Sequence, residues 1–239
     1  NDYLAEQVRK RPDRFQALAA LPMQDADMAT RELERCVKDL GMIGALVNGF
    51  SQIGDANTIA YLDEKQYWPF WAMVEKLDVP FYLHPRNPLK AWAQIYDGHA
   101  WLLGPTWAFG QETAVHALRL MGSGLFDAYP KLQIILGHMG EGLPFSLWRI
   151  NQALSRQGNR PIPFRDVFCE HFWITTSGNF SNPALLCSVM EMGVDRILFA
   201  VDWPFVDNPP GTDWMKQVPL GKEDMAKIYG ENAARLLKL

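Results

Sequence analysis

The chain has 239 residues, 48% of them apolar and 21% charged, and its 23 Lys and Arg against 27 Asp and Glu leave a formal charge of −4. That balance is close to the globular average, which excludes disordered and collagen-like chains, and it offers no basic stripe for nucleic acid. The longest apolar runs, such as Ile197–Val201, fall well short of the roughly 18 residues of a membrane span.

The opening stretch Asn1–Arg14 is polar and charged, unlike a signal peptide. It reads as the second half of an amphipathic helix, with Tyr3, Leu4, Gln7 and Val8 inside and Pro12 ending it. It shows neither a starting Met nor a cap, so the gene product is expected to extend beyond these residues. Six short apolar runs follow, at Phe15–Pro22, Gly44–Asn48, Pro80–His84, Leu132–His138, Phe172–Ser177 and Arg196–Asp202. Each is near-continuously apolar, as parallel strands covered on both faces are. Helical patterns occupy Ala26–Leu40, Lys65–Leu77, Glu112–Leu120, Pro144–Leu154, Pro183–Met192 and Lys222–Leu239. Strand alternating with helix predicts βαβ units and a parallel sheet. The long loops Gly49–Glu64 and Pro85–Gln111 follow strand ends, and loops of that length are usually functional. No linker or composition shift divides the chain, so residues 1–239 read as one domain.

The strand starts recur about every 36 residues, and eight such units need roughly 290, within the usual size of a (β/α)₈ barrel. Six units are present, so the expectation is a barrel whose last six βα units this sequence supplies. The alternative is an open doubly wound sheet of six strands. Cys36, Cys169 and Cys187 form no C-x-x-C pair and read as small buried hydrophobes in a reducing, cytoplasmic protein.

Catalytic groups in both architectures gather at the carboxyl ends of strands. There the sequence places His84-Pro85-Arg86, His138-Met139-Gly140-Glu141, Thr175 to Asn179, and Asp202-Trp203-Pro204. Two imidazoles and a carboxylate at equivalent points are donors for Zn²⁺, Mn²⁺ or Fe²⁺. Glu141, three residues after His138, is placed to hold its second ring nitrogen or to favour the next helix's dipole. Arg149 offers a fork to a carboxylate or a surface ion pair. Trp101, Trp107, Phe109, Trp203 and Phe205 suggest an apolar lid over a planar ligand. His99, His116 and His171 read as structural. No G-x-G-x-x-G, P-loop or G-x-S-x-G is present.

The segments VPFYLHPRNPL, the stretch from GPTWAFG to GHMGEGLPFSLWRI, ITTSGNF and DRILFAVDWPF resemble the metal-dependent decarboxylases of the amidohydrolase superfamily. The similarity is greatest to the γ-resorcylate (2,6-dihydroxybenzoate) and 2,3-dihydroxybenzoate group, and runs from RPDRF to NAARLLKL. The resemblance implies a (β/α)₈ barrel, one divalent ion (Zn²⁺ or Mn²⁺) and a homo-oligomer, tetramer or dimer. It implies His84 and Asp202 as metal ligands, with a Glu-x-His pair expected before Asn1. It makes Asp202 the proton donor, His138 the catalytic histidine supported by Glu141, and Arg149, Phe205, Trp107, Phe109 and Trp203 the substrate contacts. The implied reaction is decarboxylation of a hydroxybenzoate to the phenol and CO₂, with a small aromatic carboxylate as partner and neither nucleic acid nor membrane. Asn151–Phe168 departs from the group's pattern. The rival readings are a hydrolase or lactonase using metal-bound water, and an inactive barrel serving as a structural subunit.

Overall fold

The computed structural model describes residues 1–156 and 163–239, so positions 157–162 of the divergent Asn151–Phe168 segment lie outside the described residues. The chain forms two compact units, Asn1–Ile134 and Ile135–Leu239.

The first unit opens with α1 (Asp2–Lys10) and α2 (Ala26–Lys38). Asp25 caps α2 by accepting from Met28 N–H at 2.9 Å, an arrangement worth about 1 kcal/mol. Asn1 ties α1 to the segment behind it, exchanging hydrogen bonds with both backbone groups of Ala20 at 2.9 Å. Next come β1 (Ala45–Asn48), β2 (Ser51–Gln52), β3 (Ile59–Ala60) and α3 (Trp68–Leu77). β4 (Phe81–His84), α4 (Ala108–Gly122) and α5 (Leu125–Ala128) complete it. β1 runs parallel to β4, with Ala45 opposite Phe81 and Asn48 opposite His84. The expected strand at Phe15–Pro22 shortens to a single bridge of Ala19 to Ala45, although Ala17 and Ala19 carbonyls still accept from Ile43 and Leu46. Pro22 has no N–H for a ladder, and the chain turns there towards α2.

Burial alternates along β1 and β4. Ala45, Val47, Phe81 and Leu83 are buried, as are Leu33 and Cys36 of α2 and Phe70, Trp71 and Val74 of α3. Trp71 and Phe70 meet Phe81 edge-on, with ring centroids 4.8 and 5.8 Å apart. The other face of these strands carries half-buried Leu46, Tyr82 and His84. The loop after β1, expected to be irregular, folds β2 against β3 as an antiparallel hairpin.

β5 (Ile134–Leu136) carries the chain into the second unit. There follow α6 (Leu143–Arg156), α7 (Phe164–His171), β6 (Phe172–Thr175), α8 (Asn182–Met192), β7 (Ile197–Leu198), α9 (Asn208–Met215), α10 (Lys222–Ala226) and α11 (Asn232–Leu237). A π-helical turn at Lys227–Glu231 joins the last two. β6 and β7 are parallel, with Ile174 opposite Ile197. Every residue of β5 and β6 is buried, as the continuous apolar runs predict. The run at Arg196–Asp202 is shorter than expected, because Val194–Arg196 forms a 3₁₀ turn and ladder bonding stops at Leu198. Asn232 secures this region by donating to the carbonyls of Val194 and Ile197 at 2.9 and 2.8 Å.

Candidate active site

The second unit's functional residues converge on the turn after β5. His138, Met139, Gly140, Glu141 and Gly142 all have left-handed backbones, with φ of 51, 60, 72, 55 and 77°. For a residue with a Cβ that conformation costs about 1–2 kcal/mol, so tertiary contacts must hold the three non-glycines. Met139 N–H donates to the Thr175 carbonyl at 2.8 Å, and Gly140 N–H to that of Gly137 at 2.7 Å. His138 N–H donates to Ser177 Oγ at 3.3 Å, and that hydroxyl is 2.6 Å from Thr175 Oγ1. Gly140 has no room for a side chain, since a Cβ would stand 2.9 Å from Ile174 Cγ2.

This winding brings residues three apart onto one side. His138 Nδ1 lies 2.7 Å from Glu141 Oε1, and the Glu141 side chain is 4% exposed. With Glu141 a carboxylate, Nδ1 carries the hydrogen and donates it. Asp202 arrives beyond β7 with φ of 75°. Its carbonyl accepts from Phe205 and Val206 N–H at 2.9 and 3.1 Å. Asp202 Oδ2 stands 3.8 Å from His138 Nε2, an ion-pair distance too long for a hydrogen bond. Gly178 borders the pair, since a Cβ there would be 3.5 Å from Oδ2 and 3.6 Å from His138 Cδ2. Burial pushes the His138 imidazole down, but the Glu141 hydrogen bond and the charges of Glu141 and Asp202 outweigh it and hold its pKa above the usual value. Carboxylate, imidazole and carboxylate thus stand in a row able to hold a proton or pass it on.

Of the remaining predicted residues in this unit, Arg149 is exposed on α6, and Trp203 and Phe205 follow Asp202 with 68% and 84% exposure. His84, Trp107 and Phe109 belong to the first unit. His84 Nδ1 lies 3.0 Å from the Pro85 carbonyl. Donation to that oxygen leaves the lone pair on Nε2, the form a metal requires. Trp107 is exposed at the start of α4, and Phe109 is half-buried in its first turn. Trp101 is 66% exposed. His116 is fully buried, and its Nε2 accepts from Leu62 N–H at 3.0 Å. His171 is buried at the end of α7.

The supporting roles of Ser177, Gly178 and Thr175 were not assigned from the sequence. Their signal was the polar run Thr175 to Asn179 interrupting an apolar strand.

The donor types of His84 and Asp202, neutral imidazole and carboxylate, suit Zn²⁺ or Mn²⁺. Among the described residues no group of three or more His, Cys, Asp or Glu is arranged to hold an ion.

The whole chain, residues 1–239, matches the Amidohydrolase family model. It is 60% identical over 244 residues to γ-resorcylate decarboxylase of Polaromonas sp., which aligns over all of this chain and 75% of that protein. It is 55% identical over 247 residues to the protein of that name from Rhodococcus jostii, with the same coverage. Among solved structures it resembles a dihydroxybenzoic acid decarboxylase of Polaromonas sp. with bound manganese and 2-nitroresorcinol, at TM-score 0.96, 59% identity, and coverage of 100% of this chain and 73% of that one. It likewise resembles a 2,6-dihydroxybenzoate decarboxylase complexed with 2,6-dihydroxybenzoate, at TM-score 0.97, 60% identity, and coverage of 100% and 75%.

Proposed function

Because the chain belongs to the amidohydrolase family, we propose that it catalyses metal-dependent, non-oxidative decarboxylation of a hydroxybenzoate, with 2,6-dihydroxybenzoate as substrate and resorcinol and CO₂ as products. Its fold is α/β, the family's decarboxylases are TIM barrels, and the sequence spans about 75% of the relatives' length. The unbroken family match supports reading residues 1–239 as one amidohydrolase-type domain. The observation that carries the reaction is the buried Glu141 holding an imidazole whose other nitrogen faces Asp202.

In this reading His84 and Asp202 would hold the ion together with ligands of the Glu-x-His type, and manganese in a relative's structure makes Mn²⁺ the first choice. A divalent ion supplies Lewis-acid charge that steadies an anionic substrate. Asp202 in its acid form delivers a proton to the ring carbon that bears the carboxylate. The bond from that carbon to the carboxylate then breaks, its electron pair restores the aromatic ring, and CO₂ leaves. His138 returns a proton from Nε2 towards Asp202 Oδ2, with Glu141 fixing the ring's orientation. Arg149, Trp107, Phe109, Trp203 and Phe205 border the substrate. Exposed Phe145 and Trp148 on α6 support a homo-oligomer. No helix among the described residues is long and apolar enough to cross a membrane, and three free cysteines suit a cytoplasmic site.

Incubation with 2,6-dihydroxybenzoate and Mn²⁺ tests the proposal, with resorcinol followed by chromatography. Resorcinol and CO₂ in equal amounts are expected. Lactone or amide hydrolysis with no CO₂ release would reverse the assignment.

A further inference from the structure

The first unit contains a cleft whose lining residues were given no role in the chemistry above. It has a volume of about 460 Å³ and is lined by Leu21, Leu46, Asn48, Phe50, Gln52 and Arg86, among others. Arg86 has a built seat there. Gly49, with φ of +58°, leaves open the space its stem occupies, since a Cβ would stand 2.7 Å from Arg86 Cγ. The guanidinium lies 3.9 Å over the Phe50 ring, and Nη1 donates to the Phe50 carbonyl at 2.6 Å. Its other contact, Nη2 to Gln52 Oε1, is stretched to 3.5 Å.

A guanidinium has five N–H donors in a rigid fork, and one strong bond leaves most of them unspent. Glu112, the carboxylate whose charge acts on Arg86 most strongly, is occupied by the Tyr61 hydroxyl at 2.5 Å. A half-buried cation without a direct carboxylate partner costs free energy that a bound anion recovers. Leu21, Leu46 and the rim of Phe50 add apolar walls, and the amides of Asn48 and Gln52 add hydrogen-bonding groups suited to ring hydroxyls.

We propose that this cleft binds an aromatic carboxylate, with Arg86 as its anion partner and Asn48 and Gln52 reading its ring substituents. The inference rests on the hydroxybenzoate reading for the ligand's class and extends it to residues outside the proposed catalytic set. Loss of the fork should weaken binding about tenfold or more, the effect of one charge-assisted hydrogen bond.

The test is calorimetric titration of the parent chain and Arg86→Gln with 2,6-dihydroxybenzoate and with resorcinol, which lacks the carboxylate. The expected result is at least about tenfold weaker benzoate binding, with resorcinol binding unchanged. Equal benzoate affinity in both proteins, or equal loss for both ligands, would overturn the assignment. If Arg86→Gln does not fold, Arg86→Lys keeps the charge, drops the fork and carries the same comparison. Turnover separates the two proposals. A parent that releases CO₂ while Arg86→Gln binds normally refutes this inference alone; a selective binding loss with no CO₂ from the parent refutes only the decarboxylase reading.

Discussion

Replacing Gly140 and, separately, Gly142 by alanine separates backbone strain from crowding in the turn that carries His138. Both glycines are left-handed, at φ of 72 and 77°. Alanine in that conformation costs about 1–2 kcal/mol, and a stiffer unfolded chain offsets about 0.4–1 kcal/mol of it. The net is about 1 kcal/mol at either site. Their surroundings differ: no atom lies within 4 Å of a Cβ at Gly142, whereas at Gly140 Ile174 Cγ2 is 2.9 Å away and Pro144 Cδ 3.1 Å. Ile174 is fixed in β6 and Pro144 in the first turn of α6, so neither swings aside as the end of a lysine would. Overpacking of this kind adds about 1–3 kcal/mol. Gly140→Ala should therefore lose about 2–4 kcal/mol and Gly142→Ala about 1 kcal/mol. At about 3 °C per kcal/mol, the middle of the range for a chain of this size, the melting temperatures should fall by roughly 6–12 and 3 °C, read by scanning calorimetry. Gly140→Ala should also lose more CO₂ release, because relief of the clash shifts the turn that joins His138 to Glu141. Melting temperatures that agree to within a degree would refute the crowding argument.

Asp202→Asn keeps the volume of the side chain and removes its acid, so resorcinol production should fall by at least about a thousandfold at nearly unchanged melting temperature; near-normal turnover would remove Asp202 from its role. Dialysis against a chelator should abolish decarboxylation, with recovery on adding Mn²⁺; full activity after metal analysis reads zero would contradict the cofactor. Burial, and secondarily the nearby Arg119 charge, pushes His116 down from 6.5 to about 3. Below pH 6.5 the unfolded chain binds a proton that the folded chain refuses, so His116 lowers stability as pH falls towards 3, by at most about 1.4 kcal/mol per pH unit. His116→Gln should flatten the decline in melting temperature between pH 7 and 5, and equal slopes would show that this histidine does not contribute.

The apolar runs marked the strands well because burial demands apolar side chains wherever a strand is covered. They failed at the margins for identifiable reasons. The β2–β3 hairpin has two residues per strand, too few to show a period. Its Asx turn, with Asp55 Oδ1 accepting from Asn57 and Thr58 N–H at 2.7 and 3.0 Å, was the available signal. α9 was missed although Pro209 and Pro210 stand in its first turn, a position proline favours. α4 begins at Ala108 and not Glu112, because Ala108 and Phe109 extend the helix past the loop's glycines and prolines. At the candidate site, the residue types at strand ends were legible. The left-handed run was not, since Gly140 and Gly142 hint at it but His138 and Met139 are held by Ser177 and Thr175, far away in sequence, and Glu141 by its own hydrogen bond to His138.

His138 and Glu141 share one five-residue turn, so once Thr175 and Ser177 hold that turn the separation of the pair is set by its torsion angles. Breathing of the strands or drift of α6 carries both together, and their hydrogen bond rides through fluctuations that part groups on separate elements. Asp202 has no such tether to His138 and faces it across 3.8 Å from another strand end. On warming, the weakest joint in the row is therefore the Asp202 side. Heat inactivation should begin there while the imidazole and its buried carboxylate are still locked together.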